Sequence, residues 1–104
     1  MRKLTSSQML WSELFGLTGI PDLDRKKVLA IVDTLPERQR QAVRLRFGFS
    51  SHRLSLESTG KKLTRFDGKE GVSRETARYI LKTALENLKE PGYRRAWKEA
   101  RRQT

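Results

Sequence analysis

The chain has 104 residues and a formal net charge of +11, which arises from 23 Lys or Arg and 12 Asp or Glu. Hydrophobic residues make up 36% and cysteine is absent, which excludes disulfide-stapled scaffolds and thiolate metal sites. No apolar run approaches the roughly 20 residues that a membrane-spanning helix needs, and no secretory signal pattern is visible. A positive surplus of this size attracts polyanions, namely DNA, RNA, an acidic membrane surface or an acidic protein.

Apolar residues recur at helical spacing and no alternating strand pattern appears, so the predicted fold class is all-α. Residues 6–16 predict an amphipathic first helix, with Ser6 or Ser7 as its N-cap and Gly16 as its stop. This helix belongs to a predicted N-terminal extension over residues 1–24, and we expect it to pack on the domain that follows. The alternative is that it docks on another protein.

Two further helices are predicted before Gly48, which is the expected terminator of the second of them. Asp22 or Asp24 is the candidate cap of the earlier helix. Thr34 is the candidate cap of the later one. A proline in the first turn and Glu37 near the positive end of the helix support that start.

A short fourth helix and a longer fifth helix form a predicted helix–turn–helix. Ser55 caps the fourth helix, and Gly60 is the small residue that allows a close crossing. Residues 64–71 are a turn-rich break, and Ser73 caps the fifth helix. The fifth helix carries one apolar stripe of Ala77, Ile80, Leu81, Ala84, Leu85 and Leu88. A last basic helix is predicted over residues 93–103.

The face of the fifth helix opposite this stripe carries side chains that suit the major groove of DNA. Arg74, Arg78 and Lys82 form one basic line, and Glu75 and Tyr79 run beside it. Arginine can donate twice to guanine, and glutamate can accept from the amino group of cytosine. In helix–turn–helix proteins the first turns of the second helix meet base edges. The alternative is a solvated charged face with internal ion pairs.

Four motifs follow one another in register: LPERQRQAVRLRFG at 35–48, SLESTGKKL at 55–63, GVSRETARYILKTAL at 71–85 and LKEPGYRRAW at 88–97. Together they resemble the C-terminal domain, region 4, of bacterial primary sigma factors. The resemblance implies an all-helical domain, here over residues 25–104, whose helix–turn–helix recognises the −35 promoter element. It also implies docking on the flap of the RNA polymerase β subunit.

The resemblance also implies roles for individual residues. Arg74, Glu75 and Arg78 match family residues that contact −35 bases or the adjacent backbone. The full predicted DNA-binding set is Arg74, Glu75, Thr76, Arg78, Tyr79 and Lys82 on the reading face, with Arg44, Arg46, Lys61 and Lys62 as phosphate contacts.

The sequence departs from the family pattern at an insertion, TRFDGKE at 64–70, in the turn of the motif. A tolerated surface loop is the simpler interpretation. In the alternative, Arg65 and Lys69 add a phosphate contact while Phe66 covers the core or meets a partner.

Three single positions depart from the family pattern as well. Thr76 and Tyr79 stand where primary sigma factors commonly have Arg and Gln, so the recognised promoter sequence is expected to differ. Thr59 replaces a usual apolar residue and is expected to weaken the core of the motif.

We therefore predict a sequence-specific DNA-binding domain of a sigma factor-like initiation protein, cytoplasmic and associated with the nucleoid. The expected partners are double-stranded promoter DNA, the RNA polymerase core through its β flap, and an anti-sigma or other regulatory protein, with no membrane. The alternatives are an interaction module that uses the same fold without reading a promoter, and a general basic nucleic-acid binder. No enzyme activity, catalytic residue, metal site or cofactor is predicted, and the one histidine, His52, lies in a polar loop. A promoter-melting domain does not fit in this length, so we expect an excised domain or a stand-alone relative.

Overall fold

The computed structural model describes residues 3–65 and 67–102, so the expectation for Phe66 lies outside the described residues. The helices are α1 (Ser6–Phe15), α2 (Arg25–Val32), α3 (Glu37–Phe47), α4 (Leu56–Lys62), α5 (Arg74–Leu88) and α6 (Arg94–Ala100), with a 3-10 turn over Pro91–Tyr93. Extended pairing within the described ranges is limited to two isolated bridges, Leu23 with Arg101 and Thr64 with Glu70. The all-α prediction is confirmed.

The start of α1 corrects the sequence prediction, because the cap is Thr5 and neither Ser6 nor Ser7. The Thr5 hydroxyl accepts from the amide of Gln8, and the Gln8 side chain accepts from the amide of Thr5, both at 3.1 Å. This reciprocal capping box satisfies two amide donors, whereas a cap without a side-chain partner at the third helical position satisfies one. Ser6 instead donates its hydroxyl to the carbonyl of Gly48 at 3.2 Å.

The starts of α2 and α3 differ in how they are capped. Asp24, one of the two predicted candidates, caps α2 by accepting from the amides of Lys26 and Lys27. The predicted Thr34 cap of α3 is wrong, since α3 follows Pro36 without a side-chain cap. The Thr34 hydroxyl lies within hydrogen-bond distance of the carbonyl of Ile31, at 2.6 Å, and therefore ties the end of α2 instead.

One hydrophobic core joins α1, α2, α3, α6 and the end of α5. Leu10 of α1, Val28 and Leu88 are fully buried in it. Trp97 closes this core, and its indole Nε1 donates to the carbonyl of Leu88 at 3.0 Å. Burial of one such large side chain contributes about 1.5–3 kcal/mol, so Leu10 and Leu14 hold α1 on the other helices. Within the described ranges, no helix combines the length and the apolar character needed to cross a bilayer.

A second, smaller core lies beneath the helix–turn–helix formed by α4 and α5. Ala42, Leu63 and Ala77 are its buried members. Gly60 of α4 makes the close approach possible, because a Cβ there would lie 2.8 Å from the carbonyl oxygen of Val72. Thr59 is also fully buried, and its hydroxyl oxygen has no hydrogen-bond partner among the described residues. The predicted close crossing at Gly60 is therefore present.

The inserted turn between α4 and α5 is a loop closed at its base. The amide of Gly71 donates to the carbonyl of Leu63 at 2.7 Å, and the amide of Arg65 donates to the carbonyl of Lys69 at 2.6 Å. Arg38 of α3 adds a bond from Nε to the carbonyl of Thr64 at 2.9 Å. We call residues 64–70 the clasped loop, since its two ends are joined and its extra length projects outward.

Candidate nucleic-acid interface

The outer face of α5 is exposed along the helix, and its apolar stripe faces the core. Ser73 orients this helix by accepting from the amide of Thr76 at 3.1 Å. Ala77, Ala84 and Leu88 are buried. The predicted reading residues Arg74, Glu75, Thr76, Arg78, Tyr79 and Lys82 are all exposed. The geometry thus presents a row of donors and acceptors on a helix anchored from behind.

The charged groups on this face do not pair with one another. Within the described part of the chain, Glu75 forms no ion pair with Arg78 or with any other cation. The side chain of Tyr79 is 66% exposed, although aromatic rings are usually at least partly buried. An exposed ring flanked by unpaired charges is suited to contact with an external ligand.

Thr76 lies to one side of the reading face, where an open cleft begins. Its hydroxyl accepts from the hydroxyl of Ser73 at 3.0 Å. The cleft has a volume of about 490 Å³, and Arg38, Arg65 and Asp67 also line it. Arg65 and Asp67 form an ion pair of 3.4 Å across the clasped loop. Two guanidinium groups therefore stand beside the first turn of α5.

The predicted phosphate contacts divide into two environments. Lys61 and Lys62 are exposed at the end of α4, near the clasped loop. Arg44 is bound internally, since both of its terminal contacts are to the carboxylate of Asp33, at 2.7 and 2.9 Å. Its guanidinium therefore already has an anionic partner.

Arg46 is also partly engaged, because its Nη1 donates to the carbonyl of Leu54 at 3.1 Å. It lines a cavity of about 540 Å³ at the start of α4, together with Lys3, His52 and Arg53. The complete lining is Lys3, Leu4, Ser6, Met9, Arg46, Gly48, Ser51, His52, Arg53, Leu54 and Ser55. No carboxylate belongs to this lining, so the cavity is a cationic surface.

Three basic residues at these places were not among the predicted contacts: Arg38, Lys3 and Arg53. Arg65 was predicted only as an alternative phosphate contact. Arg38 lies one residue after the start of α3 and Arg53 three residues before the start of α4, and helix N-termini attract phosphate, so their positions could have indicated them. Lys3 carried no such signal, because its proximity to Arg46 depends on how α1 packs against the end of α3.

Comparison with known proteins identifies the segment that contains the helix–turn–helix and its reading face. A family model described as sigma-70, region 4 matches residues 31–90. The match includes the whole of α3, α4 and α5, and it leaves α1 and α6 outside. No solved structure matches the chain.

Proposed function

The chain belongs to the sigma-70 region 4 family, and we propose that it recognises a promoter element of the −35 type while docked on the β flap of RNA polymerase. The family is a DNA-binding helix–turn–helix domain of transcription initiation and is not a catalytic family. A protein with this task works on the nucleoid in the cytoplasm, where we place it. Residues 25–104 would carry the DNA-binding domain, with residues 1–24 as its extension.

The observation that carries this proposal is the orientation of α5. Its arginines face outward while Ala77, Ala84 and Leu88 anchor it from behind. A helix can enter the major groove only if its reading side chains are not needed by the core. Because Glu75, Arg78 and Lys82 lack internal partners among the described residues, they enter the groove without breaking ion pairs.

In this proposal the reading residues divide their tasks by chemistry. Arg74 and Arg78 donate to guanine, and Glu75 accepts from a cytosine amino group. Tyr79 places an exposed apolar ring where it can contact a thymine methyl group. Thr76, whose hydroxyl already accepts from Ser73, contributes less to base recognition. The recognised element therefore differs from the usual −35 hexamer.

Lys61, Lys62 and Arg46 are the proposed phosphate contacts, and they set affinity more than sequence preference. Lys82 lies further along α5 and completes the basic line. Arg44 is the weakest member of the set, because a phosphate would have to compete with the carboxylate of Asp33.

The experiment that tests the proposal compares Arg78→Ala with Lys98→Ala on a −35-like duplex and on a scrambled duplex. Loss of a base contact should cost about 1–3 kcal/mol and relax preference at one position. Lys98 is exposed on α6, outside the helix–turn–helix, so its loss should not change the preference. Equal and sequence-independent losses from both variants would contradict promoter recognition.

The interaction-module alternative is tested with the same proteins and a second assay. The isolated β flap and core polymerase are used to capture the chain, and promoter footprinting is done in parallel. Capture by the flap together with a footprint supports the proposal. A known promoter-binding domain serves as the control that the salt concentration permits DNA binding. Capture of the chain by the flap without a footprint under those conditions would favour the interaction module that does not read DNA.

A further inference from the structure

We propose that the groove between α1 and α6 binds an acidic amphipathic segment of a partner protein, independently of promoter DNA. Three aromatic rings form its floor: those of Trp11, Phe15 and Trp97. The ring centroids of Trp11 and Phe15 are 4.6 Å apart, and each lies 5.9 Å from the centroid of Trp97. Leu88 completes the floor of this groove, which has a volume of about 390 Å³.

Part of the aromatic floor is open to solvent: Trp97 is buried, but Trp11 is half-buried. Phe15 is 47% exposed. Leu17, two residues further on, is 76% exposed and lies outside the residues that line the groove. The other large hydrophobic side chain found exposed among the described residues is Tyr79, on the reading face. A continuous apolar surface with a polar rim is typical of a protein–protein contact, and scattered single exposed residues are not.

The rim of the groove is strongly basic, which identifies the chemistry of the occupant. Lys89, Arg94, Lys98 and Arg101 line it, and Glu90 is its one lining carboxylate. The guanidinium of Arg101 also lies 6.0 Å from the ring centroid of Trp11. A segment with apolar side chains on one face and carboxylates beside them would fill the floor and pair with the rim.

Charge argues against a second copy of this chain as the occupant. The chain carries a formal net charge of +11, and a symmetric contact would bring two basic rims together. A DNA backbone would pair with the rim, but it would leave the aromatic floor without apolar contacts. The acidic amphipathic segment satisfies both parts of the groove.

The groove is separate from the reading face, and most of its lining residues lie outside the segment that matches the family model. Leu88, at the end of α5, lies fourteen residues after Arg74, which is about 21 Å along the helix axis. Trp11, Phe15 and the whole of α6 lie outside residues 31–90, the segment that matches the family model. DNA and the partner segment can therefore bind at the same time.

The test uses a synthetic helical peptide of about 16 residues, with Leu and Ile on one face and Glu on the other. A control peptide keeps the apolar face and replaces each Glu by Lys. Both tryptophans of the chain lie in the groove, so their fluorescence reports binding directly when the peptides contain no tryptophan. Arg94→Glu is compared with Lys69→Glu, which makes the same charge change on the clasped loop.

We expect the Glu peptide to bind and to weaken about tenfold on Arg94→Glu. Phe15→Ala should weaken it as well, whereas Lys69→Glu should leave it nearly unchanged. Arg94 is exposed, so this variant should keep the wild-type thermal midpoint. The inference is overturned if the Lys peptide binds equally well, or if Lys69→Glu weakens binding as much as Arg94→Glu.

Competition measurements separate this inference from the proposed promoter function. A −35-like duplex should not displace the peptide, and Arg94→Glu should leave the base preference of the duplex unchanged. Displacement by the duplex would make the groove a DNA contact and overturn the inference. If Arg94→Glu abolished capture by the β flap, the groove would be a polymerase-docking surface. That result would also overturn the inference that it binds a separate partner.

Discussion

Both carboxylate oxygens of Asp33 accept hydrogen bonds from the guanidinium of Arg44, with Nη2 at 2.7 and 2.9 Å. Both side chains are partly exposed, so the pair contributes about 0.2–1 kcal/mol to stability. We therefore expect Arg44→Ala to lower the thermal midpoint slightly and to weaken DNA binding less than Lys62→Ala does. Duplex titration and thermal melts of the two variants measure both effects. A larger loss of affinity from Arg44→Ala would show that DNA displaces Asp33.

Removal of the buried hydroxyl of Thr59 should stabilise the protein. Its oxygen is fully buried without a partner among the described residues, and such a group costs about 1–3 kcal/mol. Thr59→Val keeps the shape of the side chain and should raise the thermal midpoint. Thr83→Val is the matched control, because the Thr83 hydroxyl donates to the carbonyl of Tyr79. Circular dichroism melts measure both variants. A lower thermal midpoint for Thr59→Val than for Thr83→Val would show that the Thr59 hydroxyl does not destabilise the core.

Gly60→Ala should disturb the helix–turn–helix through a direct clash. The added Cβ would lie 2.8 Å from the carbonyl oxygen of Val72 and 3.3 Å from that of Ser73. Overpacking of this kind costs about 1–3 kcal/mol. Gly92→Ala serves as the control, since a Cβ there meets nothing within 4 Å. Chemical denaturation should show a loss for the first variant alone, and equal midpoints for both would refute the close crossing.

Leu10→Ala should show whether α1 is part of the folded domain. Leu10 is fully buried, so its truncation should cost about 2–5 kcal/mol. Leu17→Ala removes the same group from a side chain that is 76% exposed, and it should have little effect. The measurement is urea unfolding of both variants. Equal stability would mean that α1 leaves the domain in solution, as expected of a helix that docks on another protein.

The affinity for DNA should fall steeply with salt, because phosphate contacts release counterions. Neutralisation of about six phosphates gives a log–log slope near −5. Lys62→Ala should reduce the magnitude of this slope by about 1 if Lys62 binds a phosphate. Fluorescence anisotropy at a series of salt concentrations measures the slope, with Lys98→Ala as the control. An unchanged slope for Lys62→Ala would remove Lys62 from the interface.

Local signals allowed much of the helix–turn–helix to be predicted from the sequence. Ser73 and Ser55 cap their helices as expected, because a serine cap acts on amides within three residues of itself. The apolar residues of α5 recur with helical periodicity on a single face, so the face that is buried was also predictable. The caps of α1 and α3 were predicted wrongly for different reasons. Ser6 donates to the distant carbonyl of Gly48, so Thr5 caps α1. Thr34 bonds back to the carbonyl of Ile31, and α3 begins after Pro36 without a side-chain cap.

The parts that depend on distant residues were not predictable in this way. Asp33 meets Arg44 because α2 and α3 lie side by side, and nothing in the sequence between them marks the pair. Trp11 and Trp97 come from opposite ends of the chain, and their contact exists only once α1 and α6 have packed. Only the fold shows that the two tryptophans are adjacent.

The bond from the amide of Gly71 to the carbonyl of Leu63 has a practical consequence. Because the base of the clasped loop is fastened, its tip can be lengthened while the geometry of α4 and α5 is preserved. A Cβ added at Gly68, in this loop, would meet nothing within 4 Å, so an epitope tag inserted there would meet open space. The clasped loop is thus a site for a label close to the helix that is proposed to enter the major groove of DNA.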